Sequence, residues 1–220
     1  MLGVIYELRY YTLRPEARET LIELFEREFV ESQEAVGAEV VGTFRDPDNP
    51  DTFPWIRKFP GMEARRTALE AFYGGPVWKA HRDAANATML DSDNVLLLRP
   101  SPVPVDGFSR SERPPVGATE PPGSLYVATI HHVEPGSAGQ FAEKALAVLR
   151  EAGVPVVACF ETEHAENTFP ALPVRTEANV FVWFARFDRP EDCRIPSHPV
   201  LDERPHQVIR LAPTARSALR

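Results

Sequence analysis

Cysteine is scarce: the 220 residues hold two, Cys159 and Cys193. That excludes a disulfide scaffold and a cysteine-rich zinc site. It fits two free thiols in a reducing compartment. Lysine is scarce as well, with 3 against 21 arginines, a skew expected of a GC-rich bacterial genome and without functional content. No apolar run approaches the roughly 18–20 residues a spanning helix needs, so no membrane insertion is expected. The opening MLGVIYELRYY lacks the basic segment, apolar stretch and small-residue cleavage site of a secretory signal, so a cytoplasmic protein is expected. Excess positive charge is missing: the formal net charge is -8, which gives no support to a nucleic-acid partner. There is no GxGxxG after a strand, no Walker loop and no GxSxG elbow. The six histidines follow no regular metal-ligand spacing, so neither a metal nor a cofactor is predicted.

What is abundant is proline, 22 residues, about twice the usual share of roughly 5%. Much of it falls in residues 101–123, which carry no amphipathic pattern and read as an extended linker. The flanking units, 1–100 and 124–220, look alike. Tyr6 and Pro15 match Tyr126 and Pro135 at one offset. Gly37-Ala38-Glu39-Val40-Val41 matches Gly153-Val154-Pro155-Val156-Val157, and Asp51-Thr52-Phe53-Pro54 matches Asn167-Thr168-Phe169-Pro170. Trp55 to Phe59 matches Trp183 to Phe187, and Val95 to Pro100 matches Val208 to Pro213. Ordered matches of this kind indicate an internal repeat.

Each unit reads β-α-β-β-α-β. Pro15 and Pro135 suit the first turn of a helix. Ala17, Leu21, Leu24, Phe25 and Phe29 make one apolar stripe, and Gly37 and Gly153 suit a left-handed helix end. Strands are expected at 4–13, 39–45, 54–59 and 94–99, with a helical region over 62–90. In the second unit they are expected at 156–162, 180–187 and 207–211, with a short last helix. This order is the split βαβ pattern of ferredoxin-like folds. The fold class is therefore α+β: tandem ferredoxin-like repeats whose sheets face each other in a pseudo-symmetric α/β barrel. The linker permits closure within one chain or by exchange between chains, and a homo-oligomer is expected.

The Tyr6-Glu7-Leu8-Arg9-x-Tyr11 strand, the proline-started helix, the aromatic-basic strand around Trp55, Arg65-Arg66 and Trp78-Lys79 resemble the NIPSNAP family of the dimeric α/β-barrel superfamily. The resemblance is best over residues 3–100. It weakens over 124–215, where Val127 and Thr129 replace Glu7 and Arg9. It implies a barrel fold more firmly than a function. Two functions are in view: a NIPSNAP-like small-molecule-binding or scaffold protein, and a cofactor-independent isomerase, cyclase or monooxygenase using acid-base chemistry on a small organic substrate.

Strand alternation divides the first strand. Val4, Tyr6, Leu8 and Tyr10 are expected under the helices, with Glu7, Arg9 and Tyr11 facing the opposite sheet. Glu7 and Tyr11 are then candidate catalytic groups, and Arg9, Arg57 and Trp55 candidate ligand contacts. A salt bridge between sheets is the competing structural role, with Arg57 able to neutralise Glu7. In the second unit His131 matches Tyr11. It is a candidate general base approaching the same cavity as Tyr11, with Thr129 and Trp183 as further candidate ligand contacts. Its alternative is a hydrogen-bonded structural histidine. By superfamily resemblance, His81 beside Trp78 is a minor alternative as a haem ligand.

Overall fold

The computed structural model describes residues 3–220. The first half runs β1 (Ile5–Leu13), α1 (Arg18–Leu24), a π-helical segment (Phe25–Phe29), α2 (Val30–Glu34), β2 (Glu39–Arg45) and β3 (Thr52–Phe59). It continues with α3 (Met62–Gly74), α4 (Pro76–Thr88), β4 (Met89–Asp91) and β5 (Val95–Pro100). The second half runs β6 (Leu125–His132), α5 (Ala138–Glu151), β7 (Val156–Thr162), β8 (Val180–Phe187), a 3-10 turn (Pro190–Asp192), α6 (Pro199–Asp202) and β9 (His206–Pro213).

Eight strands close into an antiparallel barrel in the order β3-β2-β9-β6-β8-β7-β5-β1, with β1 returning to pair with β3 and the short β4 added outside on β1. The halves meet at two seams, β2 against β9 and β5 against β7. Closure removes free sheet edges. An eight-stranded barrel has an interior just wide enough for side chains to fill. Here Leu8, Val41, Phe44, Ile56, Leu98, Ala128, Ile130, Phe160, Val182 and Phe184 fill it.

The order within β1 corrects the expected facing. Leu8 packs in the barrel, with Tyr6 and Tyr10 against the same cluster, whereas Tyr11 packs with Leu21, Phe25 and Phe29 of the first helix. Glu7, Arg9 and Tyr11 therefore lie outside the barrel, beneath the helices. The reason is charge. The barrel interior is apolar and closed, so a carboxylate there would lack partners. The helices offer Gln33 and Arg65, which bring partners to this face.

Other boundaries moved for local reasons. Pro15 precedes the first helix by one turn, and Glu16 takes a positive φ of 64° between them. The 62–90 helical region divides at Gly75, where a Cβ would stand 2.8 Å from the Ala71 carbonyl oxygen. Gly37 and Gly153 do adopt left-handed angles, φ 93° and 71°. Residues 101–123 form no helix or strand, yet they are not loose. Phe108 reaches Phe184 at 5.0 Å and Phe160 at 5.4 Å between ring centres, so it packs against the barrel core.

Candidate functional site

β1 and β3 pair with Glu7 opposite Arg57, Arg9 opposite Trp55 and Tyr11 opposite Phe53. The outer face of this pair carries the charge. Oε2 of Glu7 accepts hydrogen bonds from Nε of Arg57 and Nη1 of Arg9, both at 2.7 Å. Its Oε1 accepts from Nε of Arg65, on α3, at 2.6 Å. All four side chains are at most 1% exposed. Burial pushes the Glu7 carboxyl up, but Arg57, Arg9 and Arg65 together overcome it and hold the group far below the usual carboxylate range. Arg9 is held above its ordinary value: burial opposes the charge, but the Tyr11 oxygen and Glu7 outweigh it. Burial wins at Arg65 and draws it down, ahead of the pull of Glu7. Guanidinium remains cationic even so.

Three guanidiniums around one carboxylate leave two net positive charges in the interior. Their further partners are neutral. Arg57 Nη1 donates to Gln33 Oε1 and Arg65 Nη1 to Asn167 Oδ1, each at 3.0 Å, and Arg9 Nε donates to the Tyr11 hydroxyl at 2.9 Å. Arg57 and Arg9 also lie 5.1 and 5.6 Å from the centre of the Trp55 ring. Among the described residues, four buried donors at this place find no acceptor: Arg57 Nη2, Arg65 Nη2, Gln33 Nε2 and Trp55 Nε1. An unmet buried donor costs roughly 1–3 kcal/mol, so four together call for an explanation.

Beside them, between sheet and helices, lies a cavity of about 30 Å³ lined by Tyr11, Gln33, Trp55, Phe72, Tyr73 and Trp78 among others. That is room for a water-sized body. Tyr73 and Trp78 are half-buried. The π-helical segment puts Phe25 and Phe29 into the cavity wall. Its Glu26 instead accepts from Thr214 Oγ1 and the Arg216 amide, at 2.6 and 2.9 Å. Such π-bulges are frequent at functional sites. A wider cleft of about 470 Å³ lies by Glu34, Glu39, Lys58 and Arg110. It is open, and its charges pair with one another, so it lacks the unmet donors of the smaller cavity.

The second half places its predicted residues differently. His131 Nε2 accepts a hydrogen bond from Trp183 Nε1 at 3.1 Å. His131 is 1% exposed and its ring lies 4.9 Å from Phe141 of α5. Burial, then the charge of His206, lowers its pKa to about 4. Nδ1 of His131 and Oγ1 of Thr129 have no partner. β1 and β6 stand four places apart in a ring of eight, so Tyr11 and His131 project outward from opposite walls. They share no cavity, because the side chains of the barrel core fill the space between. The expected meeting of these two residues is thus corrected, and His131 as general base has no Tyr11 beside it. Glu7, Arg9, Tyr11, Trp55 and Arg57 are brought together; Thr129, His131 and Trp183 are not with them.

Gln33, Arg65 and Asn167 were not singled out as site residues. Arg65 had a signal: it stands at i with Ala68, Leu69 and Phe72 at i+3, i+4 and i+7, a charge on an apolar stripe. Gln33 follows Phe29 and Val30 in the same way. Asn167 comes from the other half, and no local pattern announces it.

His81 lies on α4, a third exposed, with Nε2 3.5 Å from a Glu28 carboxylate oxygen. Its ring lies 6.3 Å from that of Phe29, it does not line the 30 Å³ cavity, and that cavity is itself too small for a porphyrin, so the residues present do not fit haem. Among the described residues no group of three or more His, Cys, Asp or Glu could hold a metal ion. No helix of the described residues is long and apolar enough to cross a membrane. Burial raises the Cys159 thiol to about 12, far from a reactive thiolate.

A closed antiparallel barrel with helices packed outside, and a caged carboxylate beneath those helices, defines a mixed α/β-barrel protein with ferredoxin-like architecture. Residues 6–103 match the model of the NIPSNAP family. A candidate monooxygenase from Lactobacillus acidophilus NCFM has a similar structure over 99% of this chain and 98% of its own, at 13% identity and a TM-score of 0.60. Another, from Fusobacterium nucleatum, covers 100% and 97% at 9% identity and 0.57. A NIPSNAP-like domain protein from Burkholderia xenovorans covers 47% of this chain and 90% of its own at 22% identity and 0.43. No curated protein matches the sequence.

Proposed function

We propose that this protein binds a small organic molecule in the helix-sheet cavity of its first half. The supporting observation is the cavity wall: aromatic sides, with the unpartnered donors Gln33 Nε2 and Trp55 Nε1 on its lining residues. Ligand sites are typically apolar with a few placed polar groups. At about 30 Å³ the cavity must widen to admit an organic molecule, and the joint between α3 and α4 at Gly74-Gly75 is the place to give. The test is calorimetry with a panel of single-ring aromatic compounds on the wild type and on Ala85→Leu. Ala85 lines the cavity and is 1% exposed. Binding by the wild type that disappears in the filled variant supports the reading; equal binding by both overturns it.

On the same reading the chain is a duplication, with units 1–100 and 124–220 joined by 101–123, and the barrel is pseudo-symmetric. The strand orders support it: β5-β1-β3-β2 in one half and β9-β6-β8-β7 in the other. Register shifts also fall at matching places, Val40/Gly42 and Val156/Ala158. The alternative function is a cofactor-independent enzyme of the isomerase, cyclase or monooxygenase type. The Tyr11 hydroxyl, held by Arg9 at the cavity wall, favours it. Candidate monooxygenases are among the proteins of similar fold. A Tyr11→Phe variant that still binds the ligand but loses its turnover would support this alternative.

A further inference from the structure

We infer that the molecule taken by this cavity is an organic anion, one with a flat apolar body and a single carboxylate, enolate or phenolate oxygen group. This rests on the reading of the cavity as a ligand site and adds the chemistry of its occupant. The argument begins with charge. Glu7 is shared by Arg9, Arg57 and Arg65, and among the described residues no second carboxylate forms an ion pair with those guanidiniums. A buried excess of two positive charges is costly unless something neutralises it. The two guanidiniums that keep an unused donor, Arg57 and Arg65 through Nη2, are both fully buried. Arg57 adjoins two residues of the cavity wall, Gln33 and Trp55, and fixed buried positive charge of this kind favours an oxyanion.

The neutral groups point the same way. Gln33 Oε1 is occupied by Arg57, which leaves its Nε2 as a pure donor. Trp55 Nε1 can only donate. The Tyr11 oxygen already accepts from Arg9, so its own proton is free to be given. The atoms left without a partner are donors, while the acceptors of the same groups each already receive a hydrogen bond inside the protein. A ligand that supplied donors, such as an amine or an ammonium ion, would find no unpartnered acceptor among these groups and would meet a positive interior. A carboxylate or enolate fits both the charge and the polarity. The walls set the rest of the ligand: Phe25, Phe29, Phe72, Tyr73 and Trp78 are rings that stack on a flat unsaturated body.

The second half shows that the charge is no requirement of the scaffold. At the register position of Glu7 and Arg57 it carries Val127 and Ala185, both buried.

The test uses two molecules of the same shape, benzoate and benzamide, titrated into the full chain. Binding is followed by calorimetry and by the fluorescence of the tryptophans, of which Trp55 and Trp78 line the cavity. Benzoate is expected to bind at least tenfold more tightly than benzamide. Gln33→Leu, which removes one donor and no charge, is expected to weaken benzoate severalfold and leave benzamide unchanged. Equal affinities for the two compounds overturn the anion inference while the cavity remains a ligand site. Tighter binding of benzamide overturns it as well. If neither compound nor any member of the aromatic panel binds, the ligand-site reading itself fails, and this inference with it.

Discussion

The outer faces of β1-β3 and β6-β8 can be laid on each other position by position. Glu7 faces Arg57 where Val127 faces Ala185; Arg9 faces Trp55 where Thr129 faces Trp183; Tyr11 faces Phe53 where His131 faces Phe181. The backbone register is the same, and the chemistry is not. One face has a caged carboxylate, surplus guanidiniums and unmet donors beside a cavity. The other, among the described residues, has no ion pair: it is packed by Phe141, Ala145 and Leu149 of α5, its indole donates to an imidazole, and its unpartnered atoms, Thr129 Oγ1 and His131 Nδ1, belong to neutral groups. The barrel therefore needs only an outer face that some helix can cover. What covers it, and at what cost, is set by the few residues at these paired positions.

The most damaging way to break the comparison is Glu7→Gln. It leaves three buried guanidiniums without a countercharge, and removal of one partner from a buried ion cluster costs about 3–5 kcal/mol. Urea denaturation should show a loss of that size, whereas Val127→Ala at the paired position, which deletes two buried methyl groups, should cost about 2 kcal/mol. The pairwise part can be isolated: Glu7→Val with Arg57→Ala should lose less than the sum of the single changes, by about 1–3 kcal/mol. Full additivity would show that Glu7 and Arg57 do not act as a unit.

Acid should separate the two halves. The Glu7 carboxyl is depressed in the folded protein, so the unfolded chain binds its proton first. Its contribution is fully present above the unfolded value of about 4.3 and is lost as pH falls below it. His131 is also depressed, from 6.5 to about 4, and again the unfolded state takes the proton first. Its share is present above pH about 6.5 and is lost progressively down to about 4, at most about 3 kcal/mol. A stability curve against pH should thus begin to fall near 6.5. In His131→Phe that upper limb should vanish, with the fall below pH 4.3 remaining. If the upper limb persists in the variant, His131 is not its source.

Much of this architecture could be read from the chain. The expected strands at 39–45, 156–162 and 180–187 coincide with β2, β7 and β8, because their β-branched and aromatic runs sit between clear turn residues. The closure of two sheets into a barrel was legible as well. The facing of β1 was not. Alternation tells which residues share a side, but in Y-E-L-R-Y-Y both sets contain tyrosine, so composition could not say which side faced the helices. That was decided by Arg65, Gln33 and Asn167, which lie 58, 26 and 160 positions beyond Glu7 in the sequence. A caged charge is a tertiary object, and only its centre was visible in Glu7, Arg9 and Arg57. Likewise Tyr11 and His131 pair with Phe53 and Phe181 on their own sheets, yet they point away from each other because the barrel interior is filled between them.

The finest contrast lies in the two tryptophans. Trp55 and Trp183 occupy paired positions, and both are at most 2% exposed. Trp183 Nε1 donates to His131, whereas Trp55 Nε1 has no acceptor. The same substitution should therefore have different consequences. Both Trp183→Phe and Trp55→Phe lose ring volume and dispersion contacts, and that part is common. Trp183→Phe also breaks a buried hydrogen bond and strands the His131 acceptor. Trp55→Phe removes a donor that was already unmet, which relieves a desolvation cost. A net hydrogen bond is worth about 1 kcal/mol, so Trp183→Phe should destabilise the protein by at least about 1 kcal/mol more than Trp55→Phe. With a bound anion the order should change. Trp55 Nε1 would then have a partner, and the gap between the two variants should narrow when denaturation is repeated in saturating benzoate. A gap that is absent without ligand would mean that the indole-imidazole bond contributes nothing to holding α5 on its sheet. A gap untouched by benzoate would mean that the Trp55 donor is not part of the ligand's surroundings.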